Sequence, residues 1–353
     1  MKKMTKETKN NLITYAGIIL IYIAVQIAIS GGKMSSLMEG LLVPVCTYLI
    51  LAVSLNLTVG ILGELSLGHA GFMCVGAFSS AFFSKCTEDV ITNAPLRFFF
   101  AILIGAAAAA VMGMLVGIPV LRLKGDYLAI VTLAFGEIIK NFINVIYVGK
   151  DSNGFHFSMK DSLSLGLEED GVVIIKGAQG ITGTPQDSNF TIAVVLILIT
   201  VFIITNLVNS RTGRAVMSIR DNRIAAESVG INITKYRMLA FVVSAALAGM
   251  AGALYGLNYS TIQAVKFKFD TSILVLVFVV LGGIGNIRGS IIAATVLTVL
   301  PEMLREFGNY RMLIYAIVLI LVMLVSNNPM LKSFVDDLIG KFKKNKEKEG
   351  NKA

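Results

Sequence analysis

The chain has 353 residues, of which 55% are hydrophobic and only 15% are charged, and its mean hydropathy is +0.77. This composition excludes a single soluble domain and is typical of a membrane protein with several spans. The formal net charge of +9 does not indicate nucleic-acid binding, because the basic residues gather in the tails and in loops between apolar runs, where membrane topology explains them.

Cysteine and histidine usage indicate neither a disulfide framework nor a metal site. Cys46, Cys74 and Cys86 are widely spaced without a CxxC pair, and two of the three lie inside apolar runs. The histidines are His69 and His156, and no cluster of further ligands accompanies either of them. We therefore expect no bound metal, and we interpret the cysteines as small membrane hydrophobes.

The first apolar run covers residues 12–29 and is long enough to cross a hydrocarbon core, which needs ~20 helical residues. A lysine-rich start precedes it, so the positive-inside bias places the N-terminus in the cytoplasm. A basic start and an apolar stretch also occur in cleaved signal peptides, but this run exceeds the ~7–15 apolar residues usual for one. A membrane span is the favoured interpretation.

A glycine-rich turn, residues 63–72, joins the second apolar run, residues 41–62, to a third that ends at residue 84. Small residues let helices approach closely, or let a helix break where it lines a cavity. Two interpretations of His69 are open: a hydrogen bond between helices, or a position on a translocation path, since polar groups inside membranes tend to be functional. The candidate path residues of this turn are Glu64, Ser66, His69 and Gly71.

The fourth run, residues 98–121, leads inward and the fifth, residues 127–148, leads outward. Glu137 lies near the middle of the fifth run, and Lys140 and Asn141 share its helix face at i+3 and i+4. A carboxylate at that depth costs free energy unless it has a partner. Glu137 is therefore either half of a structural pair or interhelical hydrogen bond, or a group beside the substrate route.

The largest polar insertion covers residues 149–189 and carries more acidic than basic residues, which suits the outside of the membrane. The alternating run 171–176 predicts a strand, and turn-rich residues 177–183 follow it. We expect a small extracytoplasmic cap, too short for an independent domain, that is able to contact a delivered ligand or its carrier.

A basic interruption, residues 209–238, separates two later apolar runs. The positive-inside bias places it in the cytoplasm. Within it, Asp221 or Asn222 can cap a short helix at residues 223–229, with Asp221 as the expected acceptor, and Gly230 can end that helix. A capped surface helix between two spans predicts a docking element for a partner.

The remaining spans are predicted at residues 190–208, 239–257, 273–300 and 312–326. The run 273–300 is longer than one span needs and is rich in glycine, so we expect two short helices hinged at Gly285–Asn286. A single span there would leave the lysine-rich tail outside, against the positive-inside bias. The sequence thus predicts an all-α integral membrane protein of about ten helices. Its transmembrane domain would cover residues 1–329 and its basic cytoplasmic tail residues 330–353, with both termini cytoplasmic.

No nucleotide-binding motif accompanies the spans. The glycine run 282–289 lacks the GxGxxG spacing and is flanked by membrane helix, and there is no GxxxxGK[ST] anywhere in the sequence. We therefore expect this chain to bind no cofactor. Energy from ATP would have to reach it through a partner docked on the cytoplasmic side.

Several motifs occur in one order across residues 41–326. They are SLGHAGF at 66–72, LKGDYLAIVTL at 123–133, GRA at 213–215 with IRD at 219–221, AAESVGI at 225–231 and LGGIG at 281–285. Together they resemble the permeases of branched-chain amino acid ABC importers, and more narrowly the LivM-type subunit. The charged tail after Pro329 and the detail of the acidic insertion depart from that pattern.

The resemblance implies the ABC importer permease fold in a bacterial-type plasma (inner) membrane, and import of leucine, isoleucine and valine. The implied partners are a second, LivH-like permease, two ATP-binding cassette subunits of the LivG and LivF kind, an extracytoplasmic amino-acid-binding protein and membrane lipid. ATP and Mg would be bound by the ATPase subunits. By the same likeness, the helix at residues 223–229 is a coupling helix gripped by an ATPase. The coupling residues this implies are Arg220, Asp221, Arg223, Ala225, Ala226, Glu227 and Gly230.

Other functions stay open at this point. Related permeases move other amino acids, ureas, sugars or nucleosides, and only the family likeness favours aliphatic side chains. An ion-coupled secondary transporter also has many apolar helices, but it normally places ion partners near the midplane and needs no long docking loop. A channel or a membrane-embedded enzyme is not indicated, because the sequence shows no paired carboxylates, no nucleophile with a base and no repeated filter motif.

Overall fold

The computed structural model describes residues 6–32, 34–123, 125–168 and 171–327. The predicted basic tail, residues 330–353, lies outside the described residues. The chain divides into two compact units, residues 1–295 and residues 296–353. The first unit contains the helix bundle, a small sheet and all of the candidate site residues.

Apolar helices make up most of the described chain, as the sequence predicts. The α-helices in the described residues are α1 Lys6–Ser30, α2 Ser36–Asn56, α3 His69–Cys86, α4 Ala94–Val120, α5 Asp126–Val145, α6 Phe190–Asn209, α7 Arg211–Asp221, α8 Arg223–Ser228, α9 Ile233–Gly256, α10 Phe269–Gly282, α11 Ile287–Met303 and α12 Arg311–Asn327. All but the short, polar α7 and α8 match the predicted apolar runs.

By length and composition, 7 helices of the described chain are able to cross a membrane. They are Asn11–Ser30, Ser36–Leu62, Ala94–Val120, Asp126–Val145, Phe190–Asn209, Ile233–Gly256 and Ile287–Gly308. Helices α3, α10 and α12 fall outside this set because they are shorter or less apolar. The architecture is that of a multi-pass membrane protein that includes short and broken helices.

Helix α9 lies at the centre of the bundle and packs against α2, α3 and α4. The contact uses residues without large side chains, which lets the backbones touch. A Cβ atom placed on Gly76 of α3 would overlap the backbone of Gly249 in α9. One placed on Gly105 of α4 would lie 2.9 Å from the carbonyl oxygen of Gly76. The small residues of these helices therefore form the packing surface of the core, which we call the glycine seam (Gly76, Gly105 and Gly249).

A buried asparagine holds the break between α10 and α11. Gly283 and Gly285 have φ angles of +93° and +82°, a region that glycine adopts readily and other residues do not. Asn56, the last residue of α2, accepts from the Gly285 amide at 2.8 Å and donates to Ser290 Oγ at 2.9 Å. The predicted division of residues 273–300 into two helices is confirmed.

An antiparallel sheet forms where the sequence predicts a cap. Its strands are β1 Tyr147–Asp151, β2 Gly154–Ser158, β3 Val172–Lys176, β4 Ile181–Thr182 and β5 Thr261–Ile262, in the order β2-β1-β3-β4-β5. Strand β3 is the predicted one. Strand β5 comes from the loop after α9 and pairs with β4 through Ile181 and Ile262. Because paired strands lie on one side of a membrane, that loop and the insertion share a side, as the predicted topology requires.

Two buried arginines mark opposite ends of the bundle. Arg97 at the start of α4 donates from Nε and Nη2 to the carboxylate of Asp187 at 2.8 and 2.7 Å, which ties the start of α4 to the insertion. Arg237 at the start of α9 forms an ion pair with Glu64 and donates from Nη1 to the carbonyl oxygen of Leu121 at 2.7 Å. We call these the insertion end and the basic end of the bundle.

Substituting valine for Gly249 tests the glycine seam. The new Cβ would overlap Ala109 and lie 2.7 Å from the Gly105 carbonyl oxygen, so the helices must separate. We expect a loss of roughly 1–3 kcal/mol, the range for overpacked cores, seen as a lower Tm of the detergent-solubilised protein. Gly17→Val in α1 is the control, since nothing lies within 4 Å of its Cβ position. Equal Tm values for the two variants would contradict the seam.

Cysteine labelling tests which end faces the cytoplasm. Ser162 in the insertion and Ser228 in α8 are both exposed. In a Cys86→Ser background, an impermeant maleimide added to intact cells should label Ser162→Cys, whereas Ser228→Cys should react only after permeabilisation. Cys46 and Cys74 are buried and can stay in place. Labelling of Ser228→Cys in intact cells would reverse the orientation.

Candidate functional site

The basic segment, residues 209–238, folds into two helices before α9 begins. The hydroxyl of Ser210 accepts from the Gly213 amide at 3.1 Å and caps α7. Val216 and Ile219 are buried on one face of α7, and six of the other nine residues are charged or polar. The sequence analysis missed α7 because charge dominates it. The sequence signal that could have predicted α7 is the apolar pair Val216 and Ile219, three residues apart, after the capping residue Ser210.

The start of α8 corrects one prediction. Asn222, and not Asp221, is the cap: its Oδ1 accepts from the Ala225 amide at 3.0 Å. Asp221 is the last residue of α7, so its backbone is helical, whereas a cap needs the extended backbone that Asn222 has at φ −154°. The carboxylate of Asp221 instead accepts from Nε and Nη2 of Arg220 at 3.1 and 3.0 Å.

The end of α8 is as predicted. Gly230 has a φ angle of +84°, and its amide donates to the Glu227 carbonyl oxygen at 3.0 Å. The Ile231 amide donates to the Ala226 carbonyl oxygen at 3.1 Å. This bond, with Gly230 in the left-handed backbone conformation, is a common way for an α-helix to end. Nothing lies within 4 Å of the Cβ position of Gly230, so its backbone conformation alone favours glycine there.

Ala226 is a core residue of the basic segment. It is 3% exposed and packs in a cluster with Ile219 of α7 and Ile233 of α9, against which Ile231 and Tyr236 also pack. The family resemblance places Ala226 among the residues that couple the chain to a partner. Its size instead allows α8 to sit on α7 and α9 of the same chain, so Ala226→Arg would disrupt the segment itself.

The outer face of α8 is open. Arg223, Ala225 and Glu227 are exposed, and so are two large apolar side chains, Ile224 at 81% and Val229 at 75%. Apolar side chains surrounded by charges on a polar surface helix are typical of a protein contact. We call these five residues the α8 face.

Helix α7 is attached to the membrane bundle through Arg220. Helix α2 continues as a π-helical segment, Leu57–Leu62, and Arg220 Nη1 donates to the Gly60 carbonyl oxygen in that segment at 3.0 Å. Gly63 ends the segment with a φ angle of +78°, and a Cβ atom there would lie 2.5 Å from Arg220 Cγ. The arginine therefore occupies the space that a side chain at Gly63 would need.

Arg237 attaches the other end of the basic segment. It is 5% exposed, and its contacts with Glu64 and with the Leu121 carbonyl oxygen join the start of α9 to the corner after α2 and to the end of α4. Burial raises the pKa of the Glu64 carboxyl, and Arg237 opposes that rise. Sequence reasoning did not single out Arg237, because nothing local to it indicates partners so distant along the chain.

His69 lies between three helices. Its Nε2 is 3.3 Å from Ser54 Oγ of α2 and 3.2 Å from Ser244 Oγ of α9, and the residue is 1% exposed. This geometry fits the interhelical hydrogen bond that one interpretation of His69 expects. A place on a translocation path stays a prediction.

Gly71 is a packing residue. A Cβ atom on it would lie 2.7 Å from the Cα atom of Gly136, so α3 and α5 touch at this point. The Leu67 amide donates to Thr132 Oγ1 of α5 at 3.0 Å, which fixes the same contact. Gly71 also lines a small cavity together with Glu137, and its place on a translocation path stays a prediction. Ser66 is buried beside it, and its hydroxyl has no hydrogen-bond partner among the described residues.

Glu137 forms the predicted pair with Lys140 one turn later on α5. Its Oε1 also accepts from the Phe269 amide at 3.2 Å, at the first residue of α10, where a carboxylate complements the helix dipole. The side chains are 32% and 17% exposed, so the pair faces an open flank of α5 in this chain. The structural pair is confirmed, and a position beside the substrate route stays a prediction.

The sequence is similar to known transport proteins over most of its length. A family described as "Branched-chain amino acid transport system / permease component" matches residues 37–324. The high-affinity branched-chain amino acid transport system permease proteins LivM of Salmonella typhimurium and Escherichia coli are 35% and 36% identical over 287 residues, 78% of this chain. The corresponding LivH protein of Salmonella typhimurium is 24% identical over 295 residues, which are 79% of this chain and 89% of LivH. No solved structure matches the chain.

The matched region is 66% of the length of each LivM relative, so the likeness covers just under two thirds of those proteins. Within this chain the family match runs from the start of α2 into α12. It therefore includes the glycine seam, the turn at residues 63–72 and the whole basic segment.

Replacing Gly230 tests the terminus of α8. Gly230→Val should cost about 1–2 kcal/mol, because a β-branched residue resists positive φ, and amide exchange of residues 223–231 should become roughly five- to thirtyfold faster. Gly230→Asn is the matched control, since asparagine tolerates this region better. Hydrogen exchange of the purified full chain measures the effect. Identical exchange rates in the two variants would show that the positive φ of residue 230 does not matter for the end of α8.

Proposed function

We propose that this chain, which belongs to the branched-chain amino acid transport system permease family, is a membrane-spanning subunit of an ATP-driven importer of leucine, isoleucine and valine. It would form half of the translocation path, beside a second, LivH-like permease. The names of the LivM and LivH relatives support this substrate class.

The observation that carries the proposal is the way the α8 face is connected to the bundle. Ile224 and Val229 offer an apolar contact to a partner, while Ala226 on the other side of the helix is locked against α7 and α9. Arg220 and Arg237 then hold the two ends of the segment on the bundle. A partner that moves α8 would therefore move the corner after α2 and the end of α4.

The partner on this face would be an ATPase subunit of the LivG or LivF kind, with ATP and Mg bound there and not by this chain. The orientation follows from charge, because the positive-inside bias places the basic end in the cytoplasm of a bacterial-type inner membrane. Of the predicted coupling residues, Arg223, Ala225 and Glu227 lie on the α8 face. Arg220, Asp221, Ala226 and Gly230 would act through the shape and anchoring of the segment.

The insertion end would receive the extracytoplasmic amino-acid-binding protein. Strand β2 exposes Phe155 at 61% and Phe157 at 59% on one face, and alternate aromatic side chains of this kind supply contact area to a partner. The path itself would pass the junction of α3, α5 and α10, where Gly71 and Glu137 lie, and would reach Ser66 and Glu64 in the turn after α2. His69 would line it only after the helices around it separate.

Ile224→Glu tests the coupling role. The residue is exposed, so the fold should persist, while a charge inside an ATPase contact should lower binding-protein-stimulated ATP hydrolysis and leucine uptake roughly tenfold. Ile224→Val should retain both activities. The measurement uses the reconstituted complex in proteoliposomes, with co-purification of the ATPases as a second readout.

Val90→Glu controls for surface charge in general, because Val90 is 79% exposed at the insertion end. It should leave co-purification of the ATPases unchanged. Unaltered hydrolysis, uptake and co-purification in Ile224→Glu would remove the α8 face from coupling.

A further inference from the structure

A cavity of about 290 Å³ lies between α1, α6 and the turn that joins α10 to α11. Most of its lining is polar. The polar lining residues are Asn11, Thr14, Thr205, Asn209, Asn286 and Arg288. Arg288 is the one charged residue of the described lining, and no carboxylate contributes to it. This polar site is built from three membrane helices that are far apart in the sequence.

Arg288 is held in place by a hydrogen bond, and no described acidic side chain neutralises it. Its Nε donates to Thr14 Oγ1 of α1 at 2.7 Å, which fixes one edge of the guanidinium. Among the side chains that the structure describes, no ion pair of 4.0 Å or less joins it to an Asp or Glu. The residue is only partly exposed. A half-buried guanidinium between membrane helices needs an anion or water, and its fork of N–H donors matches phosphate oxygens.

The surroundings of the cavity add to its positive potential. Asn286 accepts from the Gly289 amide at 3.3 Å and begins α11, so the positive end of that helix dipole lies beside Arg288. Arg214 Nη1 donates to the carbonyl oxygen of Asn209, so a second guanidinium lies next to one of the lining residues. A multivalent oxygen anion therefore fits the site better than a neutral polar group.

The position of the cavity indicates where such an anion comes from. Gly285 of the same turn is bonded to Asn56, and α6 ends at Asn209 where the basic segment starts, so the cavity lies at the basic end of the bundle. Next to the lining residues in sequence are exposed apolar side chains, Ile13 on α1 at 55% and Phe202 on α6 at 59%. A polar pocket beside lipid-facing apolar residues matches an amphiphile.

We propose that this cavity binds the phosphate headgroup of an anionic phospholipid, with Arg288 as its main ligand and the acyl chains along α1 and α6. The leaflet at the basic end, if cytoplasmic, is the one rich in such lipids. The site does not depend on which solute the importer carries. Bound lipid would join α1 to α6 and to the α10–α11 turn.

The test uses the full-length chain purified with its partner subunits in detergent. Dioleoylphosphatidylglycerol should raise its Tm and dioleoylphosphatidylcholine should raise it less. In Arg288→Gln the apparent affinity for phosphatidylglycerol should fall roughly tenfold or more, the loss expected for a charge-assisted contact. The apparent affinity of Arg288→Lys for phosphatidylglycerol should lie between that of the wild-type chain and that of Arg288→Gln. Arg122→Gln is the matched control, because Arg122 is exposed at the same end and does not line the cavity.

Three results would overturn the proposal. One is an unchanged response to phosphatidylglycerol in Arg288→Gln. Another is that inorganic phosphate raises the Tm as much as phosphatidylglycerol does, competes with that lipid and loses its effect in Arg288→Gln. The site would then bind free phosphate. If Arg288→Gln does not fold, native mass spectrometry of the wild-type complex decides: phosphatidylglycerol should be retained in preference to phosphatidylcholine, and the absence of a preference is the third contrary result.

Discussion

The backbone contact between Gly76 and Gly249 constrains the rest of the molecule. Because neither residue has a side chain, α3 and α9 meet with their main chains in contact, and α4 closes on both through Gly105. Such a contact has no side-chain rotamers through which it can relax, so it separates only if whole helices move apart. Movement driven from the basic end must therefore bend elements outside the seam or carry its three helices together.

The elements free to bend converge on Gly60. This residue belongs to the π-helical segment after α2, and its carbonyl oxygen accepts from Arg220. A Cβ atom placed on it would overlap the backbone of Gly285 in the α10–α11 turn. The basic segment, the π-helical segment and the broken helix pair thus share one point of contact. Since π-helical segments are rare and often lie at functional sites, this corner is where a movement of α8 would first change the bundle.

The sequence predicts those parts of the fold whose causes are local. The length of the apolar runs predicts the membrane helices. Gly283 and Gly285 predict the break after α10, because the positive φ angles at this break favour glycine. Gly230 ends α8 for the same reason. What the sequence could not provide are contacts between distant segments: Arg237 with Leu121, His69 with Ser244, and strand β5 with β4. The resemblance predicts Ala226 at a contact with a partner, but the sequence does not show whether a small side chain in a surface helix packs against a partner or, as Ala226 does, against its own chain.

The two buried arginines at the ends explain how an apolar bundle keeps its register. Along the seam the contacts are small and non-directional, so they resist separation more than sliding. Arg97 with Asp187 and Arg237 with Glu64 are directional, and each joins a helix start to a remote loop. Sliding of α4 or α9 by one turn, about 5.4 Å, would leave a buried charge unpaired, at a cost of roughly 3–5 kcal/mol. Helix α4 is fixed at the insertion end and α9 is fixed at the basic end. This arrangement favours tilting of the two helices over sliding. A tilt driven through Arg237 would open the bundle on one side of the seam while the other side stays closed, which is the asymmetry that alternating access requires.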